Sequence, residues 1–215
     1  MNKKKRKIIL TIIAFLIIVG ISTLILVFRS SINNVITKKK TSNNIVDTIK
    51  GYGYTLEKRD TELFKEKFKN LKKVLSKKDV DFEEYAKDLS MLYIIDLYTI
   101  NNKDNKYDIG GSEYILDSAR ENYELKVKDT LYKYVEEKTK KRKQELPEVS
   151  EILVEDIKET TYELNDKEYE AYEVSLTFEY AKDLEYDEEA VIVLIKDNDK
   201  LYIVEQKEKE DDDEK

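Results

Sequence analysis

Cysteine and histidine are both missing from this 215-residue chain. Without cysteine there is no disulfide framework and no thiolate nucleophile. Without histidine the commonest general base is gone, and carboxylates are the only strong metal-binding side chains left. Zinc sites are thereby strongly disfavoured, and histidine-dependent hydrolase triads are excluded. Proline occurs once and glycine five times. That scarcity, beside abundant Lys, Ile, Asn and Tyr, matches the bias of an AT-rich bacterial genome. No catalytic, cofactor or metal signature stands out, so the chain is read as a non-enzyme.

The net charge of −7 is unevenly placed. Residues 1–40 hold nine Lys/Arg and no acid, whereas the remainder holds thirty basic and forty-six acidic residues, a net of −16. An acidic body of that kind repels nucleic acid phosphates and anionic lipid headgroups, so nucleic acid is not an expected partner of residues 41–215.

Lys3, Lys4, Lys5, Arg6 and Lys7 precede an uncharged run from Ile8 to Phe28. Its twenty-one residues would span roughly 31 Å as a helix, the thickness of a hydrocarbon core. The exit Leu26-Val27-Phe28-Arg29-Ser30-Ser31 lacks a small-x-small cleavage pattern, so the run reads as an uncleaved signal anchor. Five basic residues before it against Arg29 just after it place the amino terminus in the cytoplasm and the remainder outside. The expected organisation is a cytoplasmic tail over 1–7, a transmembrane helix over 8–28, a polar stalk over 29–44, an extracytoplasmic domain over 45–207 and an acidic disordered tail over 208–215. The cluster Lys38–Lys40 also fits a headgroup-binding collar.

Beyond the stalk the pattern is first helical and then alternating. Ile45, Val46, Ile49, Tyr52 and Leu56 recur at spacings near three and four, with Gly51 and Gly53 bending the segment. Asp60 or Thr61 caps a helix whose apolar face is Leu63, Phe64, Phe68, Leu71, Val74 and Leu75. A helix from Asp81 to Ile100 is apolar nearly all round and is expected to be the most buried. Asn101–Gly111 reads as a loop. A fourth helical stretch runs from a Ser112 cap through Val135 and its basic tail, and Pro147 bars its continuation. After Pro147 the period becomes two: Val149–Tyr162, Tyr169–Tyr180, Ala190–Lys196 and Leu201–Gln206 read as an antiparallel meander. The fold class is α+β: a transmembrane helix, then three to four helices packed on a curled four-stranded antiparallel sheet.

That order over residues 45–207 resembles the cone-shaped nuclear-transport-factor-like, or cystatin-like, roll. With an amino-terminal anchor it is similar to the assembly subunits of type IV secretion and conjugation systems, and to anchored proteins of low-GC Gram-positive bacteria. The resemblance implies a short cytoplasmic tail, one span and one outer domain. It carries over no functional residue, because it rests on element order and not on a motif.

Several constellations bear on possible chemistry. The Asp104–Gly111 loop fails the calcium-loop pattern, because Lys106 and Ile109 occupy the third and sixth positions. The acids Asp183, Glu185, Asp187, Glu188 and Glu189 read as a solvated connection. Sixteen tyrosines either pack the core or line a pocket, and the candidate pocket set is Tyr93, Asp96, Tyr123 and Tyr172. Asp96 is the one carboxylate in the apolar middle of its helix, and hence the best general-base candidate should it face such a pocket. The expected function is a membrane-anchored protein-interaction or scaffold module with a protein partner or self-association. The alternative is a small-ligand or sensing module built on the tyrosine pocket.

Overall fold

The computed structural model describes residues 44–207. They form an α+β unit with a two-stranded sheet, three helices and a four-stranded antiparallel sheet. Strands β1 (Ile45–Ile49) and β2 (Tyr54–Glu57) precede helices α1 (Glu62–Leu75), α2 (Phe82–Tyr98) and α3 (Asp117–Asp129). Strands β3 (Val149–Leu164), β4 (Lys167–Tyr180), β5 (Glu189–Asp197) and β6 (Lys200–Lys207) follow and pair in chain order.

The helix expected from Ile45 is instead the β1–β2 hairpin, so the cystatin-like order of helices first and one sheet after is corrected. Ile45, Val46, Thr48, Ile49 and Thr55 are β-branched and fit a pleated surface better than a helix. Gly51 and Gly53, at φ 88° and 79°, turn the chain in a conformation that other residues adopt at a penalty. Among the described residues no helix is long and apolar enough to cross a membrane. The transmembrane helix expected over 8–28 lies outside the described residues, as does the tail over 208–215.

Helices α1 and α2 start where capping chemistry directs. Thr61 accepts the Phe64 N–H at 3.2 Å, and Asp81 accepts that of Glu84 at 3.2 Å, each filling an orphan donor. Helix α1 buries Phe64, Phe68, Leu71, Val74 and Leu75, the face that the three-four spacing indicates. Helix α2 packs against α1 and against β3, β4 and β6, which is why it is apolar around most of its girth. Leu92 and Ile94 are wholly inaccessible, and truncating either to alanine would cost about 2–5 kcal/mol.

The fourth helical stretch is shorter than its periodicity indicates. Ser112–Tyr114 is one turn of 3₁₀ helix, and Ile115 pairs with Ile203 as a parallel bridge on β6. Helix α3 starts only at Asp117 without a side-chain cap and ends at Asp129. Tyr132 and Val135 then belong to turns whose N–H groups bond the carbonyls of Val127 and Tyr132.

Strands β3 and β4, at 16 and 14 residues, outrun β5 and β6, at 9 and 8. β4 pairs with β5 only over Ala171–Thr177 but with β3 along almost all its length. Lys167–Glu170 and their β3 partners therefore overhang the sheet by about 13 Å. Bulges at Val149/Glu151 and Val154/Asp156 interrupt the β3 ladder, and such bulges bend a strand.

Candidate functional site

The polar interior of the domain gathers around the loop that follows α2. Its first component is Arg59, just after β2. The guanidinium donates to both Asp108 carboxylate oxygens, Nη2 to Oδ1 at 2.8 Å and Nη1 to Oδ2, and its Nε bonds Glu57 at 2.8 Å. A bidentate guanidinium–carboxylate pair adds direction to charge. Burial opposes the charge on Arg59, but the Asp108 and Glu57 carboxylates outweigh it and hold the guanidinium more firmly protonated. Burial likewise pushes Asp108 up, yet Arg59 keeps it below the ordinary carboxylate range. Asp108 also accepts the Asp104 N–H at 2.8 Å.

The second component is Lys103, whose side chain is 2 % exposed and whose Nζ bonds Asp96 Oδ1. Asp96 Oδ2 accepts the Gly111 N–H at 2.6 Å. Asp60 lies in the same field and its carboxyl accepts the Glu57 N–H at 2.6 Å. Burial and the neighbouring Asp96 raise Asp60 to about 6, against the pull of that hydrogen bond. Arg142 closes the loop from outside, donating to the carbonyls of Asn101 at 2.7 Å and Lys103 at 3.0 Å. These bonds satisfy a loop that would otherwise bury unpaired backbone groups.

Of the four expected pocket residues, the structure brings three together. Tyr93 and Tyr123 have ring centroids 6.2 Å apart, and both meet the Gly110–Gly111 turn beside Asp96. A Cβ at Gly110 would collide with the Asp96 backbone carbonyl, and one at Gly111 would sit 2.6 Å from the Tyr123 hydroxyl. Their polar groups have structural duties. Tyr123 donates to the Gly110 carbonyl at 2.8 Å, Tyr93 to Gln206 at 3.2 Å, and Asp96 holds Lys103 and Gly111. Tyr172 stands apart, with Glu159, Glu170 and the first turn of α2 at Glu83 as its charged neighbours. Thirteen residues separate Glu83 from Asp96 along α2, about 20 Å. Asp96 is thus the counter-ion of a buried lysine, which makes it a poor candidate for accepting a substrate proton.

A second tyrosine cluster was not legible in the sequence. Tyr54 of β2 and Tyr85 of α2 place their hydroxyls 2.5 Å apart, and the backbone of Leu201 in β6 bonds both at 3.3 Å. Tyr114 packs against Tyr54 with centroids 5.4 Å apart. Burial raises all three phenols well above their ordinary value. The cluster fastens the small hairpin to the main sheet. Arg59 and Lys103 were equally hidden, since lone basic residues in loops carry no pattern.

The surface presents a different set of groups for recognition. Strand β3 is an edge strand: among the described residues no strand pairs with its outer side, although the N–H of its first residue, Val149, bonds the Thr99 hydroxyl at 3.3 Å. The opposite edge, β6, is touched by Ile115. Glu151, Glu155, Asp156, Glu159 and Glu163 of β3 are exposed, and none forms an ion pair with a described residue. Two cross-strand pairs, Glu151 with Glu179 and Glu163 with Glu168, set like charges opposite one another, an arrangement that destabilises a sheet. Leu153 is 55 % exposed on the same strand. Among the described residues no three carboxylates are grouped to hold a metal ion. No protein family, no curated protein and no solved structure matches this chain.

Proposed function

We propose that residues 45–207 are a protein-interaction module, presented at the outer face of a membrane by the uncharged run 8–28. The observation that carries this reading is the long edge of β3, which beyond Val149 pairs with no strand on its outer side among the described residues. Native proteins guard such edges with charges and bulges, and β3 carries both, so a partner that completes it has to meet those acids with groups of opposite charge. The overhanging β3–β4 hairpin carries ten acids against two lysines between residues 149 and 180. That charge keeps copies of the domain apart and leaves the edge to a partner of another kind. The small-ligand alternative is weakened, because Asp96, Tyr93 and Tyr123 all have structural bonds.

The test is a photo-cross-linking residue placed at Leu153 in the full-length protein, in the membranes of cells that make it. The comparison site is Leu125 on α3, exposed to a similar degree. A defined adduct from position 153 and none from 125 is expected. Equal labelling at both sites, or none at either, would overturn the reading. Protease added outside intact cells should digest the domain if it lies at the outer face.

A further inference from the structure

The outer edge of β3 has a second property, its charge, and together the two define what would bind there. In an antiparallel pair alternate residues point their N–H and C=O groups away from the partner strand, so an edge strand offers a row of donors and acceptors. β3 is 16 residues long, about three times an ordinary strand, and offers such a row beyond Val149, whose N–H bonds Thr99. The ladder to β4 is continuous from Asp156 to Leu164, beyond the second bulge. On this row five exposed acids face one lysine, Lys158. A second copy of the chain pairing there would set acids against acids, the pairing that sheets avoid.

Building on the interaction reading, we infer that β3 takes an extended, lysine- or arginine-rich segment of a partner protein as a fifth strand. Main-chain hydrogen bonds would supply the docking, as in strand addition generally. Basic side chains of the incoming strand would lie between Glu151, Glu155 and Asp156 on one part of the edge and Glu159 and Glu163 on the other. They would also relieve the repulsion of the Glu151–Glu179 and Glu163–Glu168 pairs. A helical basic partner would meet the charge but leave the row of backbone groups unused. This chain's own Lys38–Lys40 is another source of positive charge, and the experiment separates it.

Hydrogen–deuterium exchange of the full-length chain provides the test. The probe is a synthetic peptide of about ten residues alternating lysine with valine and threonine. One control replaces each lysine with glutamate. A second keeps the lysines but has proline at alternate positions, so that it carries the charge without the ladder donors. The expected result is roughly ten-fold slower exchange in 149–164 with the first peptide only, weakening as salt rises. The triple variant Glu151→Lys, Glu155→Lys and Glu159→Lys should abolish the effect with its melting transition still cooperative. Equal protection by the proline peptide, or binding without protection of β3, would overturn strand addition. Faster exchange of β3 after Lys38–Lys40 are changed to serine, with no peptide present, would assign the edge to the chain's own segment and overturn the partner. If the peptide fails while cross-linking at position 153 still captures a protein, this inference falls and the interaction reading stands. If both fail, both fall.

Discussion

Replacing Lys103 with methionine removes a charge from the least accessible cation of the domain while keeping most of its aliphatic length. The Lys103 side chain is 2 % exposed, whereas that of Asp96 is 19 % exposed and keeps the Gly111 N–H at 2.6 Å. Removing one partner of a buried ion pair costs about 3–5 kcal/mol, because the other charge is left in a poor solvent. The partial exposure of Asp96 places the expected loss at the lower end, about 3 kcal/mol. For a domain of this size that is a melting temperature lower by about 6–12 °C. Adding Asp96→Asn to Lys103→Met removes the stranded charge and keeps an oxygen for Gly111. The double variant should recover to within about 1 kcal/mol of the parent, as expected for coupled neighbours. Urea unfolding followed by tyrosine emission and by far-ultraviolet dichroism measures all of these. A loss below about 1 kcal/mol for Lys103→Met, or a double variant no more stable than the single, would refute the view that this pair pins the loop after α2.

Three further variants test the interior. Asp88 is 6 % exposed and makes no hydrogen bond or ion pair with a described residue. Burial and then Glu84 raise it from 3.8 to about 7, despite Lys67 and Lys87. Because the folded value is raised, the native state holds a proton that the unfolded chain releases, and stability falls as pH rises from about 4 to about 7. Asp88→Asn should therefore stabilise by about 1–2 kcal/mol at about pH 8 and by nothing near pH 4. A gain that is the same at both pH values would show that the carboxyl does not titrate in that window. The tyrosines give an opposed pair. The Tyr114 hydroxyl is buried without a partner among the described residues, whereas that of Tyr132 bonds the Leu97 carbonyl at 2.6 Å. Tyr114→Phe should be neutral or stabilising by up to about 1 kcal/mol, and Tyr132→Phe should cost about 1 kcal/mol. Equal urea midpoints for the two would contradict the hydrogen-bond assignment.

Local chemistry by itself determined helices α1 and α2, with Thr61 and Asp81 as caps, and the alternating strands after Pro147. Capping, apolar periodicity and the proline stop act within a few residues, so they can be read without knowing the partners. The tertiary structure decided between two local signals at Ile45–Glu57, where the apolar spacing fits a helix but the β-branched residues and glycines fit a hairpin. What selects the strand is the seating of Tyr54 beside Tyr85 and Leu201, residues 31 and 147 positions away. The late start of α3, at Asp117 and not at Ser112, has the same origin, since Ile115 is claimed by Ile203. Asp96 was legible as an unusual carboxylate in an apolar helix, but its role depended on Lys103 folding back beneath it. Residue type alone groups Tyr172 with Tyr93 and Tyr123, although the length of α2 separates them. The free edge of β3 was also invisible, because strand order is a property of the whole sheet. Charge, capping and period are written locally, whereas which edge stays open and which charge finds a counter-ion are settled by contacts between residues far apart in the chain.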